Sequence, residues 1–287
     1  MGPLPVSDEF TSCQFLLEVI LTIMAAEADI AYDRHGVPVL TVEQIEAKAE
    51  HFLSHFARLC LEHPQQAPIP EIMTELQSRY GVKFDLEKSL GRKNGREILG
   101  EIRLRERLIL IDRSIINRAA VFNFTVAHEI GHLALHRKRD IVFGRQDTND
   151  GTITDTRKDV LAEYDASQET SWSPRRRVEW QANRYSAALL MPAATVRAEV
   201  LDWQRRQGIR SAGRVFVDRQ EANYCDYLAI IDHLKFVYQV SRKALRIRLQ
   251  HLGILDTRLP DGSRFFEHTG IYPITRLPSR SPTTRPE

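Results

Sequence analysis

The chain has 287 residues, of which 43% are hydrophobic and 27% are charged. This balance is ordinary for a soluble globular protein with a sizeable core, and it allows one domain with extensions or two small domains. The formal net charge is +2, so the overall charge indicates no class of partner, and a nucleic-acid interface would require a local basic patch.

The first apolar run, residues 15–26, lacks the features of a targeting segment. It contains Glu18 and follows acidic rather than basic residues, whereas a signal peptide begins with a positive stretch. The run is also too short and too charged to span a membrane. We therefore predict a helix over residues 15–31, a cytoplasmic location and no membrane partner.

The three cysteines, Cys13, Cys60 and Cys225, are odd in number and far apart, and none belongs to a Cys-x-x-Cys pair. Neither a disulfide framework nor a thiolate zinc site is indicated by such a pattern. We expect these residues to be free thiols in a reducing compartment.

Helices are predicted on both sides of a short region of strands. Apolar residues at helical spacing predict a helix over residues 42–61. A shorter helix over residues 68–80 begins at a proline and is stopped by Gly81. A long helix over residues 116–136 follows the strands.

The strands lie between the second and third of these helices. Alternation of apolar and polar residues predicts strands at residues 82–86, 98–104 and 108–111. The Lys-Asn-Gly sequence at residues 93–95 is typical of a hairpin turn. We therefore expect a small antiparallel sheet.

The C-terminal half is predicted to be a long loop followed by helices. Residues 139–177 are polar and without periodicity, which indicates a loop. A helix over residues 178–190 ends at Met191-Pro192, and further helices are predicted over residues 194–207, 225–237 and 242–251. The predicted fold is therefore α+β and mostly helical, with a small antiparallel sheet and C-terminal helices.

The third long helix carries the sequence His128-Glu129-Ile130-Gly131-His132. A spacing of four residues puts both histidines on one face, at about 5–6 Å between Cβ atoms. Two imidazoles so placed can reach one zinc ion at about 2.0–2.1 Å. Glu129 is rotated away from them, so its carboxylate lies beside the metal, where it suits a general base acting on a zinc-bound water.

Two alternatives remain open for this helix. The histidines could be core residues that are satisfied by hydrogen bonds alone. However, the flanking residues are apolar, and buried histidines and a glutamate carry a desolvation cost that a shared cation would offset. Gly131 indicates a close approach either by another backbone or the substrate, or by a neighbouring helix.

A tetrahedral catalytic zinc needs a third protein ligand. His136 lies about 12 Å along the helix axis from His128, so we expect it to pack or to support a ligand rather than bind the metal. Glu179 opens a helical stretch with Asn183 one turn later, which supplies a ligand and an amide to orient a ligand histidine. The alternatives are a solvated glutamate at a helix start, or another carboxylate among Asp140, Glu163, Asp165 and Glu169.

The two segments, residues 124–136 and 179–192, resemble the ImmA/IrrE family of metallopeptidases, and the resemblance extends over residues 41–194. It implies a zincin-like fold in which His128, His132 and Glu179 bind the metal and Glu129 is the catalytic base. The family often cleaves a repressor encoded nearby, which switches on stress, mobile-element or phage genes. The expected partner is therefore a protein substrate, a helix-turn-helix repressor.

The sequence as a whole suggests a division of the chain into four parts. We expect a helical extension over residues 1–40, a zincin-like metallopeptidase domain over 41–200, a C-terminal helical region over 201–256, and an irregular or disordered tail over 257–287. The expected cofactor is one zinc ion, with manganese as the alternative. Residues 107–111 are predicted to form an exposed sheet edge that binds substrate as an added strand. Tyr185 is the candidate donor to the oxyanion.

A different class of function is predicted by the basic helix pair at residues 227–252. Ser241 is placed to cap the second helix, and a helix-turn-helix-like pair would let that helix contact DNA. Its basic residues are Arg242, Lys243, Arg246 and Arg248. The alternative is a helical hairpin packed on the peptidase with solvated arginines, which we favour over DNA binding. A metal-binding scaffold without catalysis is a third interpretation.

Overall fold

The computed structural model describes residues 30–136, 152–156, 172–218 and 220–257. Within these ranges the chain forms eight α-helices, a small five-stranded sheet and a separate pair of short strands, which confirms the α+β and mostly helical class. No helix in these ranges is both long and apolar enough to cross a membrane. The helix predicted over residues 15–31 falls almost wholly outside the described residues, as do most of the predicted loop and the tail beyond residue 257.

The described part of the first forty residues is a tight turn, and it is not helical. Tyr32 and Pro38 form an antiparallel bridge across it. Asp33 Oδ1 closes the turn by accepting a backbone hydrogen bond of 2.9 Å from Val37. We call residues 30–40 the N-terminal turn.

Three helices follow the N-terminal turn: α1 (Val42–Phe56), α2 (Leu59–Glu62) and α3 (Ile69–Tyr80). A single helix was expected over residues 42–61, but the backbone leaves helical angles at Ala57, which separates α1 from α2. The predicted stop after α3 is confirmed, because Gly81 has the left-handed backbone conformation that ends helices (φ 62°).

The sheet is mixed, so the prediction of an antiparallel sheet was wrong in this respect. Its first strands are β1 (Lys83–Asp85), β2 (Arg92–Lys93), β3 (Arg96–Arg103) and β4 (Leu108–Ile111). The hairpins β2–β3 and β3–β4 are antiparallel, whereas β1 runs parallel to β4. Strands β1 and β4 are not consecutive, so hairpin geometry does not constrain their relative direction.

Strand β4 lies in the interior of the sheet, between β1 and β3. The prediction that residues 107–111 form an exposed edge was therefore wrong, because both edges of β4 are already hydrogen-bonded. The predicted loop over residues 139–177 also needs correction, since it contains β5 (Thr152–Thr156), which pairs antiparallel with β3. Three threonines and an isoleucine favour a strand there.

The motif helix α4 (Ala119–Leu135) packs between the sheet and helix α5 (Pro174–Leu190). It is preceded by a 3-10 turn (Arg113–Ile115) that Asp112 caps through a bond from the Ser114 amide of 2.9 Å. Burial opposes the charged form of Asp112, but hydrogen bonds from Ser114 and other groups lower its pKa below the ordinary value. Helix α5 starts four residues earlier than predicted, because Ser173 caps it and proline follows.

The three predicted C-terminal helices are present: α6 (Ala193–Arg206), α7 (Glu221–Tyr238), which starts four residues earlier than predicted, and α8 (Arg242–His251). Ser241 caps α8 by accepting a hydrogen bond of 3.1 Å from the Ala244 amide. Two short parallel strands, β6 (Val215–Phe216) and β7 (Leu255–Asp256), join the regions before α7 and after α8.

Arg248 in α8 connects this C-terminal region to the rest of the molecule. It was predicted among the basic residues of a DNA-contacting or solvated surface, but its side chain is fully buried. Its guanidinium forms a two-pronged ion pair with Glu46 in α1, and its Nε donates to the carbonyl of Met191 at 2.9 Å. Arg184 lies close by, and burial together with the charge of Arg248 lowers its pKa to about 10.

We expect the substitution Arg248→Met to reduce the free energy of unfolding by about 3–5 kcal/mol, because it leaves a largely buried Glu46 without its partner. The matched control is Arg242→Met in the same helix, since Arg242 pairs with Asp232 on the exposed surface. That change should cost less than about 1 kcal/mol. Urea titrations followed by circular dichroism measure both values, and equal losses for the two variants would contradict the assigned role of Arg248.

Candidate metal centre

Helix α4 places His128 and His132 one turn apart on its buried face. Both side chains have no exposed surface, and their Nε2 atoms lie 3.0 Å apart. The rings meet edge to face, with 4.6 Å between centroids. Their two ring nitrogens therefore point at a common place inside the protein, as the spacing predicts.

Glu179 in α5 completes this group, because α5 packs directly against α4. Its Oε2 atom lies 3.3 Å from Nε2 of His128 and 3.7 Å from Nε2 of His132. The carboxylate is 1% exposed. We call His128, His132 and Glu179 the triad.

The spacing of the triad fits a small metal ion. Ligand atoms held at 2.0–2.2 Å by a tetrahedral zinc lie about 3.3–3.5 Å from one another. The three separations in the triad are 3.0, 3.3 and 3.7 Å. Among the described residues, the triad is the group of histidine, cysteine and acidic side chains that offers its ligand atoms close enough together for a shared ion.

Asn183 lies one turn after Glu179 and contacts the far side of a triad histidine, as the sequence predicts. Its Oδ1 atom is 3.1 Å from Nδ1 of His128. An amide oxygen can accept a hydrogen bond only, so Nδ1 of His128 carries the hydrogen. In the neutral ring Nε2 then keeps its lone pair, which is the form that binds a metal.

His136 lies behind the other triad histidine. Its Nδ1 atom is 3.0 Å from Nδ1 of His132, and its Nε2 atom is 2.9 Å from Oε1 of Gln181. His136 thus hydrogen-bonds the histidine from behind, in the supporting position that the helix geometry indicates. Sequence reasoning gave no role to Gln181, which is 2% exposed and belongs to α5.

Glu129 extends from α4 towards the sheet, where it lies over Gly100 in β3. A Cβ atom added to Gly100 would be 2.1 Å from Oε1 of Glu129 and 3.0 Å from Cγ2 of Thr125. The carboxylate therefore fills the space that glycine leaves free. Sequence reasoning missed Gly100, although a glycine inside a strand is a known sign of close approach by another group.

The family model for the IrrE N-terminal-like domain, a peptidase family, matches residues 82–250. The chain belongs to this family. The match covers more than half of the chain, includes α4 and α5, and confirms the resemblance to ImmA/IrrE peptidases.

No individual curated protein matches the chain. The family match itself continues past residue 200, the predicted end of the peptidase domain, into α8. It thus includes Arg248, which pairs with Glu46 in α1. Membership of this family supports metallopeptidase chemistry. Among the described residues of this protein, the triad offers the ligands for the metal.

Gly131 lies in the contact between α4 and α5. A Cβ atom there would be 3.2 Å from the carbonyl oxygen of Ala182 and 3.3 Å from the ring of Tyr185. Of the two interpretations of Gly131, the structure favours the contact between helices. Tyr185 is fully buried and packs edge to face against Phe52, so these contacts give no support to the oxyanion role, which stays a prediction.

The other carboxylates considered as the third ligand were Asp140, Glu163, Asp165 and Glu169. All four lie outside the described residues. Sequence reasoning gave no role to Arg175, whose guanidinium lies 3.8 Å from Oε1 of Glu179. The second oxygen of Glu179 therefore faces a cation, while Oε2 faces the histidines.

Proposed function

We propose that the protein is a zinc-dependent endopeptidase that hydrolyses a peptide bond in a protein substrate. The observation that supports this most directly is the buried triad, with Glu129 on the same helix as two of its members. Two imidazoles and one carboxylate are a donor set that suits zinc, and they leave a fourth position for water. Manganese remains the alternative ion, because carboxylate and water ligands suit it.

Zinc, when bound, would polarise the scissile carbonyl and lower the pKa of a water ligand to about 7. His128, His132 and Glu179 would hold the ion. Asn183 would keep His128 oriented by accepting from its Nδ1 atom at 3.1 Å. Glu129 would take the proton of the attacking water and deliver it to the leaving amine, which is the work of a general base and then a general acid.

The site predicts that the metal-free protein binds one zinc ion and that His128→Ala abolishes tight binding, because a single imidazole and a carboxylate remain. His63→Ala is the control, since His63 is exposed on the surface. Zinc titration against a chromophoric chelator, with metal content by mass spectrometry, measures both. Undiminished zinc binding by His128→Ala would remove the triad as the metal site.

Glu129→Gln should retain zinc and lose hydrolysis by at least about 100-fold, because the amide cannot accept the proton of the attacking water. The measurement is cleavage of a protein substrate by purified enzyme, with zinc content determined on the same sample. Substantial proteolysis by Glu129→Gln would refute the assignment of the base. Tight zinc binding with no cleavage by the unmodified protein would favour a non-catalytic metal scaffold.

Gly100→Ala should retain zinc but reduce the rate of cleavage by about 10-fold or more, because the new methyl group occupies the place of the Glu129 carboxylate. The matched test is the same change in a Glu129→Asp background. Aspartate is one methylene shorter, so we expect its carboxylate to clear the methyl group and the added change to have little effect there. Equal losses in both backgrounds would show that Gly100 acts in some other way.

The proposed substrate is a helix-turn-helix repressor encoded beside this gene. The enzyme and this substrate would meet in the cytoplasm. The support comes from the family to which the chain belongs. Co-incubation of the two purified proteins tests it, with chelator and with Glu129→Gln as the two controls. Cleavage that persists in chelator would contradict a metal-dependent reaction, and an intact repressor would direct the search to other proteins.

DNA binding by α7 and α8 is the competing proposal, and the structure gives it less support than the sequence does. Arg248 is buried against Glu46, and Arg242 is paired with Asp232. Arg242 and Arg248 thus already have acidic partners within the protein. Salt-dependent binding of duplex DNA by the full chain would restore this alternative.

A further inference from the structure

A chain of hydrogen bonds leads from the N-terminal turn to the triad. Gln181 donates from Nε2 to the carbonyl oxygen of Pro38 at 2.7 Å, and its Oε1 atom is 2.9 Å from Nε2 of His136. Nδ1 of His136 lies 3.0 Å from Nδ1 of His132. All three side chains are at most 2% exposed, so solvent does not compete for these contacts.

The carbonyl oxygen of Pro38 sets the direction of every bond in this chain. A carbonyl can only accept, so the amide nitrogen of Gln181 must face Pro38 and the amide oxygen must face His136. His136 then donates from Nε2. A neutral imidazole carries one hydrogen, so Nδ1 of His136 is an acceptor.

The bond between His136 and His132 fixes the tautomer of His132. Because Nδ1 of His136 accepts, Nδ1 of His132 must donate to it. The lone pair of His132 is then on Nε2, the atom that lies 3.0 Å from Nε2 of His128 and 3.7 Å from Glu179. The chain of bonds therefore presents the second imidazole in the form that binds a metal.

We propose that Gln181 is a positioning residue that fixes the tautomer and ring orientation of His132 through His136. The orientation of the Gln181 amide is fixed by the Pro38 carbonyl, which belongs to the N-terminal turn. The expected effect on zinc binding rests on the proposed zinc site. The tautomers of His132 and His136 can be tested without metal.

The N-terminal turn is held where this role requires it. Asp33, in the turn, forms an ion pair with Arg177, which lies one helical turn before Gln181 on the same face of α5. Val37 and Leu40 are 1% and 4% exposed and pack in the core. The Pro38 carbonyl is thus fixed relative to α5 on both sides, and the turn forms part of the support of the triad.

The first test uses zinc binding to the metal-free protein. Gln181→Met has similar length but cannot accept from His136, and we expect it to weaken zinc binding by about 10–100-fold, the range usual for groups that support metal ligands. Gln204→Met is the matched control, because Gln204 is also buried and bonds the Arg214 carbonyl at 2.8 Å, away from the triad. Thermal unfolding of both metal-free variants reports any general loss of stability.

Zinc binding within twofold of the unmodified protein by Gln181→Met would overturn the proposal. So would an equal weakening by Gln204→Met, because a general loss of stability would then explain both. Gln181→Asn provides a second variant that keeps an amide but is one methylene too short to bridge Pro38 and His136. It should behave like Gln181→Met.

The second test reads the tautomers directly, by long-range nitrogen-15 NMR of the histidine rings in the metal-free protein. We expect the hydrogen on Nδ1 of His132 and on Nε2 of His136, and a mixture of forms in Gln181→Met. A hydrogen on Nε2 of His132 in the unmodified protein would refute the inference. Neither test uses cleavage, so a failure of the peptidase proposal would leave these results distinct.

Discussion

The candidate metal centre depends on the convergence of three ligand atoms inside the protein. The Nε2 atoms of His128 and His132 and the Oε2 atom of Glu179 lie 3.0–3.7 Å from one another, in side chains that are at most 2% exposed. Hydrogen bonds behind the histidines direct lone pairs inward, so three acceptors face one another. Such an arrangement is costly in a buried space unless a positive charge is shared among them, and a cation at the centre supplies it.

The rest of the fold can be understood as support for this convergence. Helix α4 is apolar around most of its surface and lies between the sheet and α5, so its polar motif residues are enclosed on both sides. Both contacts depend on a glycine: Gly100 of β3 leaves room for the Glu129 carboxylate, and Gly131 of α4 leaves room for the backbone of α5. The N-terminal turn contacts α5 through Gln181. Arg248, near the other end of the described sequence, contacts Met191 directly after α5.

Features that depend on residues close together in the sequence could be predicted, whereas contacts between residues far apart in the sequence could not. The spacing of His128 and His132, and of Glu179 and Asn183, is local helix geometry, so the shared faces of these side chains and most of the helices could be predicted. Gln181 meets a carbonyl 143 residues away and Arg248 meets a carboxylate 202 residues away, so neither partner has a local signal. The parallel pairing of β1 with β4 and the position of β5 are long-range as well. Gly100 differs, because a glycine inside a strand does carry a signal.

The most direct test of the central claim is anomalous X-ray diffraction at the zinc absorption edge, from crystals of the protein grown with zinc. We predict one strong anomalous peak, about 2.0–2.2 Å from Nε2 of His128, Nε2 of His132 and a carboxylate oxygen of Glu179. A zinc peak held by other residues, with the two imidazoles turned away from each other, would contradict it.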